Sequence, residues 1–349
     1  MEFNLQKIVR KNIKELKPYS SARHEYDGKA SVFLDANENS LGSPLPENFN
    51  RYPDPLQRKL KSALSGIKKV SVENMFIGNG SDEVIDLAYR IFCNPAQDSA
   101  IICPPTYGMY QVSAGINDVN LIRVPLTGKF QPDTNAILKA SSNLTKLLFI
   151  CSPNNPTGNN MDSRSMETLL QKFPGVVIID EAYIDFSDQE SLTEKLSVYP
   201  NLIVMQTLSK AWGLASLRLG LAFASAGIID LFNKVKPPYN INQASQELAL
   251  KALKNMKEVN NRIQILLNQR DHLNAELLKI GFVEKIFESD ANFLLVKVKD
   301  ADALYTYLVQ HKIIVRNRSR EPMCEGCLRV TVGTPDENVQ LINTLKLYQ

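Results

Sequence analysis

The chain has 349 residues, 44% of them hydrophobic and 22% charged, with a formal net charge of +3. That length suits two domains, or one large domain with an appendage, in an ordinary globular protein. So small a charge excludes a polybasic nucleic-acid surface and leaves room for a local anion site.

In chain order, apolar residues at 5, 8, 9, 13 and 16 predict one short amphipathic helix over Leu5–Leu16. Between residues 72 and 225, short apolar runs alternate with amphipathic segments. Strands are expected at Met75–Gly78, Ala100–Cys103, Val119–Val124, Lys146–Cys151, Val176–Asp180, Leu202–Gln206 and Arg218–Ala224. Helices are expected at Asp82–Phe92, Tyr107–Ala114, Ser163–Lys172 and Ile228–Val235. The runs Leu-Leu-Phe-Ile and Val-Val-Ile-Ile lack alternation, as strands buried on both faces do. The pattern is that of an α/β protein with a mainly parallel seven-stranded sheet covered on both sides. Lys236-Pro-Pro-Tyr is a break. One or two long helices follow from Gln243 to about Ile280, ended by Gly281. Strands at Asn292–Val298, Ile313–Arg316 and Leu328–Val332 and a helix near Ala301–Val309 complete a smaller α+β unit. The expected division is an N-terminal arm at 1–45 that joins the smaller domain or reaches a partner, a large domain at 46–238, and a small domain at 239–349.

Five cysteines, an odd number, and an N-terminus without a signal-peptide apolar core argue against a disulfide framework and for a cytoplasmic location. Cys324-Glu-Gly-Cys327 has metal-ligand spacing, but no second pair accompanies it, so it reads as a turn and no metal is expected. No apolar run approaches the roughly 18–20 residues of a membrane helix. His24, His272 and His311 are scattered, so any proton transfer needs another base.

In open parallel sheets, ligands bind beyond the carboxyl ends of the strands. Five loops carry chemistry. Asn79-Gly80-Ser81-Asp82-Glu83 opens a helix, Ser152-Pro-Asn-Asn155-Pro-Thr-Gly158 follows a strand, and so do Asp180-Glu-Ala-Tyr183 and Thr207-Leu-Ser209-Lys210. Arg218 lies eight residues past Lys210. Each has a bland reading. Ser81 and Asp82 suit a helix cap, although the same N-terminus is an anion site. Asn154-Asn155-Pro-Thr-Gly is turn chemistry. Asp180 could cap a helix, and Lys210 could be a solvated helix-start lysine. Their joint order after strands favours one shared rim.

Ser-Pro-Asn-Asn-Pro-Thr-Gly, Asp-Glu-Ala-Tyr and Ser-Lys-(seven residues)-Arg resemble fold-type I aminotransferases, which use pyridoxal 5'-phosphate (PLP). Leu34-Asp-Ala-Asn-Glu-Asn39, Arg51-Tyr-Pro-Asp54, Gly80-Ser-Asp-Glu83, Pro104-Pro-Thr-Tyr107 and Leu328-Arg-Val-Thr-Val-Gly-Thr334 narrow the resemblance to the histidinol-phosphate aminotransferase family. It covers nearly the whole chain and implies a homodimer with active sites at the subunit interface. It implies that Lys210 holds PLP as a Schiff base and moves the proton, and that Asp180 pairs with the pyridine nitrogen. Asn155 and Tyr183 would bond the ring's phenolic oxygen, and Tyr107 would stack on the ring. Arg218, the Ser209 hydroxyl and the backbone N–H groups of Ser81 and Asp82 would hold the cofactor phosphate, joined by Tyr52 from the partner subunit. Arg329, Arg316, Tyr19, Tyr52 and Asn155 would meet the substrates, an arginine suiting carboxylate and phosphate alike. For Tyr107 the bland reading is core packing, for Tyr52 an Arg-Tyr-Pro turn, and for Arg316 a surface charge beside Arg318 and Arg320.

Trp212 and Ser216 stand where the family often has Phe and Gly, and Ser40-Leu-Gly replaces a commoner proline-bearing version. The expected reaction is ping-pong transamination between L-histidinol phosphate and 2-oxoglutarate, giving imidazole acetol phosphate and L-glutamate. Threonine-phosphate decarboxylases and aromatic aminotransferases share the same positions and stay open, as does a non-catalytic ligand sensor on this fold. A nicotinamide-dependent dehydrogenase is disfavoured because Glu83 stands where the dinucleotide fingerprint needs a glycine.

Overall fold

The computed structural model describes residues 3–19 and 31–348; His24 and residues 20–23, which follow Tyr19, lie outside them. Seven strands form the large sheet: β1 (Met75–Asn79), β2 (Ser99–Ile102), β3 (Asn120–Arg123), β4 (Thr145–Cys151), β5 (Val176–Asp180), β6 (Leu202–Thr207) and β7 (Leu219–Ala224). Their order is β1-β7-β6-β5-β4-β2-β3. β7 runs antiparallel to β1 and β6, and the other pairings are parallel. Strands β5, β6 and β7 are buried along their whole length because both faces are covered. In β4, Leu147 and Phe149 enter one core while Leu148 and Ile150 enter the other, as the two-residue period of a strand requires.

Two short helices, α1 (Leu5–Ile8) and α2 (Lys11–Glu15), replace the single one expected over Leu5–Leu16. The break falls at Arg10, whose backbone N–H donates to Ile91 O (3.1 Å) and whose guanidinium donates to Arg90 O (2.8 Å). These bonds tie the arm to the large sheet's outer layer, where Ile8, Val9 and Ile13 are buried. Helices α1 and α2 therefore lie against the outer layer of the large sheet. Then come α3 (Arg58–Lys68), α4 (Ser81–Phe92), α5 (Met109–Ile116), α6 (Thr134–Ala140), α7 (Ser163–Lys172) and α8 (Ala226–Val235). Apolar residues of α4, α5 and α8 close one face of the sheet, and those of α3, α6 and α7 close the other.

After the Pro237-Pro238 break, α9 (Gln243–Leu253) and α10 (Met256–Leu277) lead to a second, antiparallel sheet. It contains β8 (Val283–Ile286), β9 (Phe293–Val298), β10 (Arg316–Asn317) and β11 (Cys327–Thr331) in the order β10-β11-β9-β8. α11 (Ala301–Gln310) and α12 (Pro335–Lys346) join α10 over one face, in a core holding Leu273, Leu294, Val296, Leu328 and Leu341. The strand expected over Ile313–Arg316 is displaced to Arg316–Asn317, because Ile313 N–H still bonds Leu308 O and closes the preceding helix. Cys324 and Cys327 form a turn in which Cys327 N–H donates to Cys324 O (3.0 Å). All five cysteines are free and buried. Among the described residues no helix is long and apolar enough to cross a membrane.

Candidate active site

Strand register decides which loops meet. Cys151 is the partner of Asp180, Asp180 of Met205, Thr207 of Gly220, and Gly220 of Gly78. The ends of β4, β5, β6 and β1 and the start of β7 therefore share one rim. There lies a cavity of about 220 Å³. Eleven of the expected residues line it: Ser81, Asp82, Tyr107, Asn155, Asp180, Tyr183, Ser209, Lys210, Arg218, Arg316 and Arg329. Tyr19 and Tyr52 do not. Tyr19 is 70% exposed, and Tyr52 stacks on Tyr239 at 4.5 Å, beside a separate cavity of about 560 Å³. Neither described histidine lines the rim cavity.

Asp180 is buried at the end of β5, where Tyr110 O–H (2.7 Å) and Ala182 N–H (3.1 Å) donate to its two oxygens. Burial outweighs those donors and raises its pKa to about 6. Lys210 follows β6 in a turn closed by Leu214 N–H to Leu208 O (3.0 Å). Its amine lies 5.6 Å from the centre of the Tyr183 ring and, among the described residues, has no hydrogen bond or ion pair. Desolvation, then Arg329, push the lysine pKa below its ordinary value; Asp180 opposes them.

Arg218, Gly80 and Gly220 form a cradle. Gly80 takes φ 77°, and a Cβ there would sit 2.5 Å from Arg218 Nη2. A Cβ on Gly220 would lie 2.3 Å from Gly80 C and Ser81 N. Only glycine lets β7 approach the start of α4 this closely. The first N–H groups of α4 lack helix partners and point with its positive end at this spot. Asp82 accepts from Tyr107 O–H (3.1 Å) and pairs with Arg218 at 3.5 Å. A phosphate monoester suits such a cradle, and an aromatic aldehyde between Lys210 and Asp180 suits the rest, so these residues fit PLP.

The far wall belongs to the second sheet. Arg329 donates to Asn155 Oδ1 and lies 5.2 Å over Phe293. Its cross-strand partner is Arg316. Burial works against the Arg329 charge, yet a guanidinium stays protonated. Cys151, Ala182, Thr207 and Arg318 also line the cavity and were not expected from sequence. Arg318 lines this wall just past the end of β10, where no strand was expected from sequence. Tyr110, fully buried in α5, supports Asp180, and no local signal in the sequence marked that role. Trp212 is buried in the core below the site, and Ser216 is exposed, so neither departure from the common family pattern enters the cavity.

The aminotransferase class I and II family profile matches residues 29–345. The histidinol-phosphate aminotransferase of Cytophaga hutchinsonii is 54% identical over 348 residues, covering 100% of both chains. That of Flavobacterium psychrophilum is 50% identical, covering 99% of each. The chain belongs to the histidinol-phosphate aminotransferase family. A Sinorhizobium meliloti histidinol-phosphate aminotransferase, solved in complex with pyridoxal-5'-phosphate, shares the fold with a TM-score of 0.78 at 22% identity, covering 89% of this chain and 90% of that one. Membership makes this a PLP-dependent aminotransferase, and the fold-type I architecture expected from the motifs is the one observed.

Proposed function

We propose that the chain moves an amino group between L-histidinol phosphate and 2-oxoglutarate, yielding imidazole acetol phosphate and L-glutamate, with PLP attached through Lys210. The Lys210 amine carries this reading. It has no hydrogen-bond or ion-pair partner among the described residues, it shares a cavity with buried Asp180, and its surroundings favour the neutral, nucleophilic form. Bound there, PLP supplies an electron sink that weakens the Cα–H bond of an amino donor.

The chain's own residues do the remaining work. Asp180 Oδ holds the ring-nitrogen proton, and Tyr110 and Ala182 keep that carboxylate oriented. Asn155 and Tyr183 serve the phenolic oxygen, and Tyr107 covers the ring. Arg218, the Ser209 hydroxyl and the N–H groups of Ser81 and Asp82 hold the phosphate. Once the amino donor has displaced it from the cofactor, Lys210 Nζ would move the proton between the donor's Cα and the cofactor's C4′ carbon, a task for which neither described histidine is placed. Arg329 and Arg316 bind the α-carboxylate of glutamate in one half-reaction and the phosphate of histidinol phosphate in the other. In this reading the enzyme is a cytoplasmic homodimer, Tyr52 serves the neighbouring subunit's site, and Tyr19 adds a hydroxyl to the substrate side.

Purified protein mixed with histidinol phosphate and 2-oxoglutarate is expected to release glutamate. Borohydride followed by peptide mass spectrometry is expected to find the reduced cofactor on Lys210. Carbon dioxide from threonine phosphate, without glutamate from the first mixture, would replace transamination with decarboxylation. An adduct on another lysine would remove the assignment of Lys210.

A further inference from the structure

The hairpin wall of the cavity holds one more cation than the two assigned above. Arg316 and Arg329 are cross-strand partners, and Arg318 N–H donates to Cys327 O at 2.9 Å, which continues the same register by two residues. Residues two apart on a strand share a face. Arg316, Arg318 and Arg329 therefore point together into the cavity, while Asn317 between them turns away to Asp302 (2.5 Å).

Arg318 is poorly paired for a guanidinium in such a place. Among the described residues its Nε is buried with no hydrogen-bond partner, as is Nε of Arg329. Its one acceptor among them is Glu321, at 3.4 Å from Nη1, and the Arg318 side chain is 22% exposed. A buried donor without an acceptor is unfavourable unless a ligand completes it. Charge agrees. Among the described residues lining this cavity, Lys210, Arg218, Arg316, Arg318 and Arg329 face two carboxylates, Asp82 and Asp180, in a chain whose net charge is only +3. Arg218 and the start of α4 face the cofactor phosphate, so the hairpin cations await a second anion.

A carboxylate has one charge and two oxygens, which the Arg316 and Arg329 pair already satisfies. A phosphate monoester dianion has a third oxygen and about one more charge, enough for one further guanidinium. We propose that Arg318 is a ligand of the substrate phosphate, and that it sets the preference of this site for a phosphate-bearing amino donor over one bearing a carboxylate. This rests on the functional reading above. Arg316 and Arg329 serve both substrates, whereas Arg318 engages only the dianion.

The test uses the PLP-loaded enzyme, whose own cofactor occupies the Arg218 cradle. R318Q is expected to raise the KM of histidinol phosphate, and the inhibition constant of inorganic phosphate, by ~10- to 100-fold. The KM of glutamate should move by less than about threefold, with the visible spectrum and melting temperature unchanged. R318K keeps the charge without the fork and should fall between; if R318Q does not fold, R318K alone decides. Unchanged phosphate affinity, or equal losses for phosphate and glutamate, overturns the assignment. If the wild type fails to turn over histidinol phosphate, the functional reading falls. Inorganic phosphate inhibition of whatever amino donor it accepts then still decides Arg318.

Discussion

Asp180 is unstable where it is useful. In the folded chain without cofactor it keeps its proton up to about pH 6, whereas an unfolded aspartate releases it near 3.8. The folded state thus binds more protons in that window, so stability falls as pH rises through it and stays lower above. D180N should melt higher than the wild type in cofactor-free protein at pH 8, by an amount on the order of 2 kcal/mol, and show no gain at pH 4. Calorimetry at the two pH values checks this, and the variant should lose the reaction. Tyr110 acts on the same carboxyl. Removing its hydroxyl removes a donor that favours the charged form, so Y110F should raise the Asp180 pKa further. The pH below which cofactor affinity weakens is expected to move up by about one unit, read from PLP dissociation constants across pH. A purely structural tyrosine would leave that limb in place.

At the scale of elements, β7 and the start of α4 form one device through Gly220 and Gly80. An added methyl at Gly220 meets backbone, which cannot swing aside as a side chain can. G220A should weaken PLP binding by ~10-fold or more and lower the melting temperature, because α4 must retreat from the phosphate. Equilibrium dialysis of cofactor measures the first effect; unchanged affinity would show that the cradle tolerates the shift. The β10–β11 hairpin works differently. Its two-residue period delivers three arginines to one side, while Leu328 and Val330 face the core behind it. α12 is held by a Thr334–Glu337 capping box with Pro335 at its first turn, which ends β11 cleanly just past Arg329.

For the whole molecule, the question is what sets the second sheet against the first. The β4 loop carries much of this. Asn155 receives Arg329, Asp290 N–H donates to Gly158 O (2.8 Å), and Asn160 N–H donates to Asp290 Oδ2 (2.9 Å). Gly158 takes φ 87°, and a Cβ there would lie 2.5 Å from Ser289 Oγ. G158A should push the loop before β9 away and carry the arginine wall with it. The expected signature is a KM raised several-fold for both substrates, with the PLP dissociation constant unchanged. Steady-state kinetics beside cofactor titration separates this from a general loss of folding.

Sequence alone placed the strands of the large sheet to within about one residue at each end, and most clearly β4, β5 and β6, whose continuous apolar runs reflect burial on both faces. It also picked out Lys210, Asp180, Asn155 and Arg218 as chemistry-bearing loop residues, since each follows a strand and the motifs stand in a known order. α3 and α12 passed unread although their signals were present: Leu60, Ala63, Leu64 and Ile67 at helical spacing, and the capping box. Tertiary structure decided the rest. No local pattern reveals that Arg10 breaks the N-terminal helix to reach Ile91, that Tyr110 supports a carboxylate seventy residues away, or that Arg318 faces the cavity. Those facts depend on strand order and register between segments distant in the chain. A one-residue slip of β10 would turn Arg316 and Arg318 away from Arg329, and no single segment encodes that register.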